Sequence, residues 1–67
     1  MAEIDMRYEC SYEVETKDPR NPFGQTKKVM VKAKKIVVTE MDTTFYDHYG
    51  CVSGYFRNQY LIGYLQK

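Results

Sequence analysis

The chain has no tryptophan, a single histidine and only two cysteines, and no long stretch of it is continuously apolar. Each shortage removes a class of function. A serine or cysteine nucleophile needs a base beside it, and only His48 is there to serve. Cys51 follows three residues later, close enough for a helical turn to bring the two together. The plainer reading is an exposed histidine at a helix end beside a buried thiol, because little else nearby meets the geometric demands of a nucleophile site. Asp47, His48, Cys51 and Cys10 could be grouped as a zinc set, yet the paired C-x2-C spacing usual in structural zinc sites is missing. The segment GQTKK lacks the second glycine and the spacing of a phosphate-binding loop. No catalytic residue, metal ligand or cofactor is therefore expected, and the chain reads as a non-enzyme.

The lack of a long apolar run also bears on location. A membrane-crossing helix needs roughly 18 apolar residues in succession, and none is present. The segment MAEIDMRYEC carries acidic residues where a secretory signal carries positive charge, so a cytoplasmic location is expected. In a reducing compartment Cys10 and Cys51 are expected as free, buried thiols rather than a disulfide.

What is abundant is tyrosine. Seven of the 67 residues are tyrosine, and hydrophobic residues make up 43% of the chain, too much apolar material for a disordered polymer. The chain is expected to fold as one domain over residues 1–67. A core this small supplies only about 3–5 kcal/mol unaided, which makes a homodimer one expected outcome.

Net charge is only +1, but its distribution is uneven. Residues 1–26 sum to −3, residues 27–35 to +5 and residues 36–67 to −1. Any electrostatic argument here concerns position, not the total. The basic block is KKVMVKAKK, and the question is whether it grips a polyanion or forms the polar side of a strand.

Periodicity favours a strand. From Met6 to Glu15, Met6, Tyr8, Cys10, Tyr12 and Val14 alternate with Arg7, Glu9, Ser11, Glu13 and Glu15, the pattern of a strand with one buried face. Tyr8 and Tyr12 fall on the core side with Val14. Two prolines, a glycine, Asp18 and Asn21 then mark a loop over residues 17–26, with Phe23 either presented at its tip or folded back over the sheet edge. A second strand follows, with Val29, Val31 and Ala33 on one side and Lys28, Met30, Lys32 and Lys34 on the other. The alternation slips at Lys34-Lys35, where a bulge would return Ile36 and Val38 to the core; burial of IVV on both faces is the alternative. An antiparallel register setting Glu15 against Lys28, Ser11 against Lys32 and Glu9 against Lys34 also sets Val14 against Val29 and Tyr12 against Val31. Because a slip of one residue would flip every side chain, both faces must be satisfied together.

Beyond residue 40, Asp42 as N-cap, Phe45, Tyr46 and Tyr49 at helical spacing, and Gly50 as C-cap predict a short helix near residues 42–50. CVSGYF, a polar RNQ corner and YLIGYLQ then predict a second hairpin, with Gly54 and Gly63 marking bulges or close backbone contacts. The expected fold class is α+β, mainly β: a small antiparallel sheet of about four strands, in two hairpins, with that one short helix.

Two binding functions from different classes fit this surface. In the first, tyrosines beyond what a small core can enclose, together with Phe23, Met30 and Arg57, match the aromatic, methionine and arginine enrichment of protein interfaces. The chain would then be a small inhibitor or adaptor, of the kind phage and mobile elements encode, that occludes a surface of a larger target protein. That target includes nucleic-acid-handling complexes among its candidates, with Lys35 and the other lysines meeting an acidic patch. In the second, Lys28, Lys32 and Lys34 form a comb along a single strand of nucleic acid while bases stack on Tyr46, Tyr49, Tyr55, Tyr60 or Tyr64. Direct nucleic-acid binding is the weaker of the two, because the glutamate register neutralises the comb and Arg57 is the only arginine in the aromatic half. No membrane partner is expected.

Overall fold

The structure is a computed structural model and describes residues 1–21 and 23–67. Pro22, one of the turn formers counted above, lies outside the described residues. Five strands follow one another: β1 (Ala2–Thr16), β2 (Lys27–Val38), β3 (Asp42–Tyr46), β4 (Val52–Arg57) and β5 (Leu61–Gln66). They form one open antiparallel sheet in the order β4-β3-β2-β1-β5.

The first hairpin has the register that charge and hydrophobicity demand. Glu15 lies opposite Lys28, Val14 opposite Val29, Tyr12 opposite Val31 and Ser11 opposite Lys32, and the connection occupies residues 17–26. Glu9 does not reach Lys34, because the register shifts between Asp5 and Cys10. On the far side of that shift Asp5 faces Lys35 and Ile4 faces Ile36. The slip at Lys34-Lys35 thus has its bulge: Ala33 and Ile36, an odd number of residues apart, are both buried. Val37 and Val38 are half-buried, so IVV is not sealed on both faces. The extra residues on β1 turn Tyr8 outward, leaving it 71% exposed and not in the core as the alternation predicts.

This irregularity splits the sheet into two half-sheets. The second half of β1 lies between β5 and the first half of β2. The second half of β2, Lys35–Val38, lies between the start of β1 and β3, with β4 beyond. Strands that bend at a bulge let one sheet fold back on itself, and the aromatic rings record that folding. Phe45 of β3 and Tyr64 of β5, three strands apart in sheet order, have ring centroids 5.4 Å apart and meet edge-on. Tyr12 contacts Phe45 at 5.9 Å, and Phe56 of β4 closes the other side at 5.7 Å. Phe45, Ile36, Val14 and Ala33 are fully buried between the half-sheets. At Gly54 the two come close, since a Cβ there would lie 3.0 Å from Val31 of the other half-sheet and 3.0 Å from Phe56 of its own strand.

The helix predicted near residues 42–50 is absent, and β3 with a turn takes its place. Thr43 and Phe45 are buried while Asp42, Thr44 and Tyr46 are only partly so, the period-two pattern of a strand built from β-branched and aromatic residues. Gly50 does adopt a left-handed conformation, φ 82°, but in the β3–β4 turn. The Asp47 carboxylate accepts the amides of Tyr49 and Cys51 there, an Asx turn doing what a helix cap was expected to do.

The predicted second hairpin is also corrected. β4 pairs with β3 and β5 with β1, so these consecutive strands lie on opposite edges of the sheet. The RNQ corner explains why. Two overlapping turns, Tyr60 N–H to Arg57 C=O and Leu61 N–H to Asn58 C=O, swing the chain round, and Asn58 fixes the corner to the β2–β3 connection. Its amide donates to the carbonyl of Thr39 at 2.7 Å, and its side-chain oxygen accepts from the buried hydroxyl of Thr43 at 2.7 Å. Lys17 N–H then holds the carbonyl of Tyr60 at 2.7 Å, delivering β5 to β1.

Candidate protein-docking surface

Residues paired across strands share a face, so the register maps the outer surface. On the outside of the second half-sheet one row runs Glu3, Val37, Thr44, Tyr55 and the next Asp5, Lys35, Tyr46. Val52 follows Tyr46 after a shift that leaves Ser53 as the extra residue. Tyr55 is 54% exposed, and its hydroxyl donates to Asp42 at 3.0 Å, which pins the ring along the face. Beside these rows lies an open pocket of about 440 Å3, lined among others by Asp5, Lys34, Lys35, Val37, Tyr46 and His48.

Hydrogen bonds and ion pairs hold the rim in place. The Glu9 carboxylate accepts the His48 backbone amide at 3.1 Å and meets Nδ1 of its ring at 2.6 Å, tying the bulge of β1 to the β3–β4 turn. The histidine hydrogen bond holds the Glu9 carboxyl below its ordinary value of 4.5. Lys35 meets Glu3 at 2.7 Å, and that hydrogen bond raises its pKa above 10.5. The Tyr49 ring lies 3.9 Å from that of His48 and is 80% exposed. His48 thus serves Glu9, while Cys51 is exposed on the turn with its amide held by Asp47. Neither cysteine is fully buried, contrary to the expectation of two buried thiols; both are free. Among the described residues no group of three or more His, Cys, Asp or Glu side chains is placed to hold a metal ion. Among the described residues no helix is long and apolar enough to cross a membrane.

The residues singled out by sequence fall into separate places. Lys34, Lys35 and Tyr46 meet at the pocket, with Tyr55 one row away and Tyr49 on the adjoining turn. Lys28, Met30 and Lys32 lie on the outside of the other half-sheet, where Met30 faces Glu13 and Glu13 faces Leu65. Tyr64 is a wall of the core against Tyr12 and Phe45, and Tyr60 is half-buried in the corner. Arg57 ends β4 opposite Asp42. Phe23 does not fold back: it projects from the loop fully exposed. Sequence reasoning missed Val37 and Val52 on the outer rows, and the Glu9–His48 tie; the first two carry no signal beyond β-branching, and the third spans 39 positions.

The lysine-rich stretch also has a plain structural role. Among the described residues the first half of β2 pairs with β1 alone and is a sheet edge, and lysines on an edge discourage pairing with other chains. The predicted neutralisation is partial. Lys28 reaches Glu13 at 3.8 Å, but Glu15 accepts from the Thr26 hydroxyl instead. Among the described residues Lys27, Lys32 and Lys34 have no carboxylate within ion-pair distance.

No family model, curated protein or solved structure matches the chain. Its function is therefore read from this geometry.

Proposed function

We propose that the chain is a non-catalytic protein-binding module, an inhibitor or adaptor acting in the cytoplasm by covering a surface of a larger protein. Its docking patch is the outside of β3, β4 and the second half of β2. The observation that carries this reading is the pinned, half-exposed ring of Tyr55 in a row with Val37 and Thr44, beside exposed Val52 and Tyr49. An aromatic ring held rigid by its own hydroxyl loses little conformational freedom on binding and is the typical anchor of an interface. Exposed Lys34 at the pocket rim supports a partner whose matching surface is apolar at the centre and acidic at one margin.

A pull-down from native cytoplasm with wild type, with Tyr55→Ser/Val52→Ser and with Lys32→Glu tests the patch. The reading requires a protein retained by wild type and by Lys32→Glu and lost with the double substitution. A partner that survives the double substitution, or none at all, contradicts it.

Single-stranded nucleic acid is the second reading, favoured by the lysines that lack ion-pair partners. It is the weaker because Lys28 and Lys32 lie on the opposite half-sheet from Tyr46 and Tyr55. Retention on single-stranded oligonucleotide that falls steeply with salt and vanishes in Lys28→Glu/Lys32→Glu/Lys34→Glu would favour it.

A further inference from the structure

The folded-back sheet leaves four open edges, and three of them carry charge. The start of β1 has Glu3 and Asp5, the first half of β2 has Lys27, Lys28 and Lys32, and β4 is bulged at Ser53 and ends in Arg57. The fourth is β5, whose sequence LIGYLQ has no charged residue. It pairs with β1 on one side and, among the described residues, with nothing on the other. An uncharged edge with open backbone groups is a template for a further strand.

We infer that β5 joins to β5 of a second copy of this chain, antiparallel, across a two-fold axis at Tyr64. The backbone sets the register. Lys67 N–H bonds inward to the carbonyl of Ser11 at 2.9 Å. Alternation along the regular part of the antiparallel ladder then points the backbone groups of Leu65 and Gly63 inward as well, and those of Tyr64 and Gln66 outward; beyond Gly63 the register shifts, with Ile62 as the extra residue. Placing Tyr64 opposite its own copy makes the two outward-pointing tyrosine backbones the hydrogen-bonded pair at the axis and sets Gln66 against Ile62, the residue at the shift. It also sets Gly63 against Leu65 in the closely spaced, non-hydrogen-bonded position. That match fits the side chains: a Cβ at Gly63 would touch nothing within 4 Å, whereas Leu65 is 62% exposed. The leucine of each copy covers the bare glycine of the other, twice over, as a two-fold interface requires. With no charge on the strand, no like-charge pair faces itself across the axis. A second copy also answers the small core, since oligomerisation is a usual supplement in domains of this size. The β5 edge takes no part in the proposed docking patch, so the two surfaces can be tested separately.

Light scattering after size exclusion, on wild type and Leu65→Lys, tests the inference. Wild type at millimolar concentration is expected at twice the chain mass, and Leu65→Lys at the chain mass with its far-ultraviolet strand signal retained. A second arm uses Gly63→Cys/Leu65→Cys, mixed from isotope-labelled and unlabelled preparations and oxidised. Mass spectrometry is then expected to find a disulfide joining position 63 of one chain to position 65 of another. Should Leu65→Lys fail to fold, this arm decides alone. A wild-type monomer at millimolar concentration, a dimer unaffected by Leu65→Lys, or no such inter-chain disulfide overturns the pairing. A monomer whose β5 amides shift with an added peptide would instead mark the edge as a site for another protein's strand.

Discussion

Replacing Phe45 by alanine should unfold the chain at room temperature. Phe45 is fully buried, and its ring touches Tyr12, Phe56 and Tyr64, which come from three other strands and from both half-sheets. Truncating a buried phenylalanine costs about 3–5 kcal/mol once the cavity is included, and a core of this size supplies about the same. Phe45→Leu keeps most of the volume but loses three ring contacts, two edge-on and one tilted, each worth roughly 0.5–1.5 kcal/mol. Part of that loss is recovered by repacking, leaving about 1–2 kcal/mol. At roughly 4–8 °C per kcal/mol for a small domain, Phe45→Leu should lower Tm by about 5–15 °C and still melt cooperatively. Thermal and urea unfolding followed by far-ultraviolet circular dichroism reads both variants. A Phe45→Ala protein that melts cooperatively within a few degrees of wild type would refute the placement of this ring between the half-sheets.

Other perturbations separate the remaining parts of the account. Asn58→Ala removes the partner of the buried Thr43 hydroxyl and frees the corner from Thr39. It should cost about 1–3 kcal/mol in urea unfolding, and an unchanged midpoint would mean the corner is not held there. Gly54→Ala forces a Cβ to within 3.0 Å of Val31 and Phe56. It should destabilise by about 1–3 kcal/mol through overpacking, whereas a gain in Tm would show that the half-sheets are further apart. Glu9 has its folded-state pKa depressed below 4.5, so its contribution is complete above pH 4.5 and is lost as pH falls through the lower folded value. The difference in Tm between wild type and Glu9→Gln should therefore shrink as pH falls below 4.5. A difference that keeps growing as pH falls below 4.5 would contradict the tie to His48.

The first forty residues were largely legible because two independent patterns constrain them to one register. Glutamate against lysine on one face and valine or tyrosine against valine on the other leave no freedom to slip. Tyr8 escaped because period-two alternation carries no mark of where a bulge interrupts it, and the bulge depends on pairing with Lys34 and Lys35 on another strand. The last third misled for a related reason. Phe45, Tyr46 and Tyr49 satisfy helical spacing by coincidence, since Tyr49 belongs to a turn, and local propensity yielded to the burial of Thr43 and Phe45 against β2. A short polar corner between two apolar runs is normally a hairpin. Here Asn58 anchors it to the β2–β3 connection, an interaction spanning 19 positions that no local pattern displays. The candidate surface inherits this: Tyr46 and Tyr55 could be named from composition, but their union with Val37 and separation from Lys28 required the topology.

The most direct test of the folded-back sheet is a proton NMR measurement of short Hα–Hα and amide contacts between strands. The account predicts contacts linking Glu13 to Leu65 and Thr43 to Phe56, ring contacts between Phe45 and Tyr64, and no backbone contacts between β4 and β5. A ladder of contacts joining Val52–Arg57 to Leu61–Gln66 as a hairpin would contradict it, and the docking patch and the β5 edge would go with it.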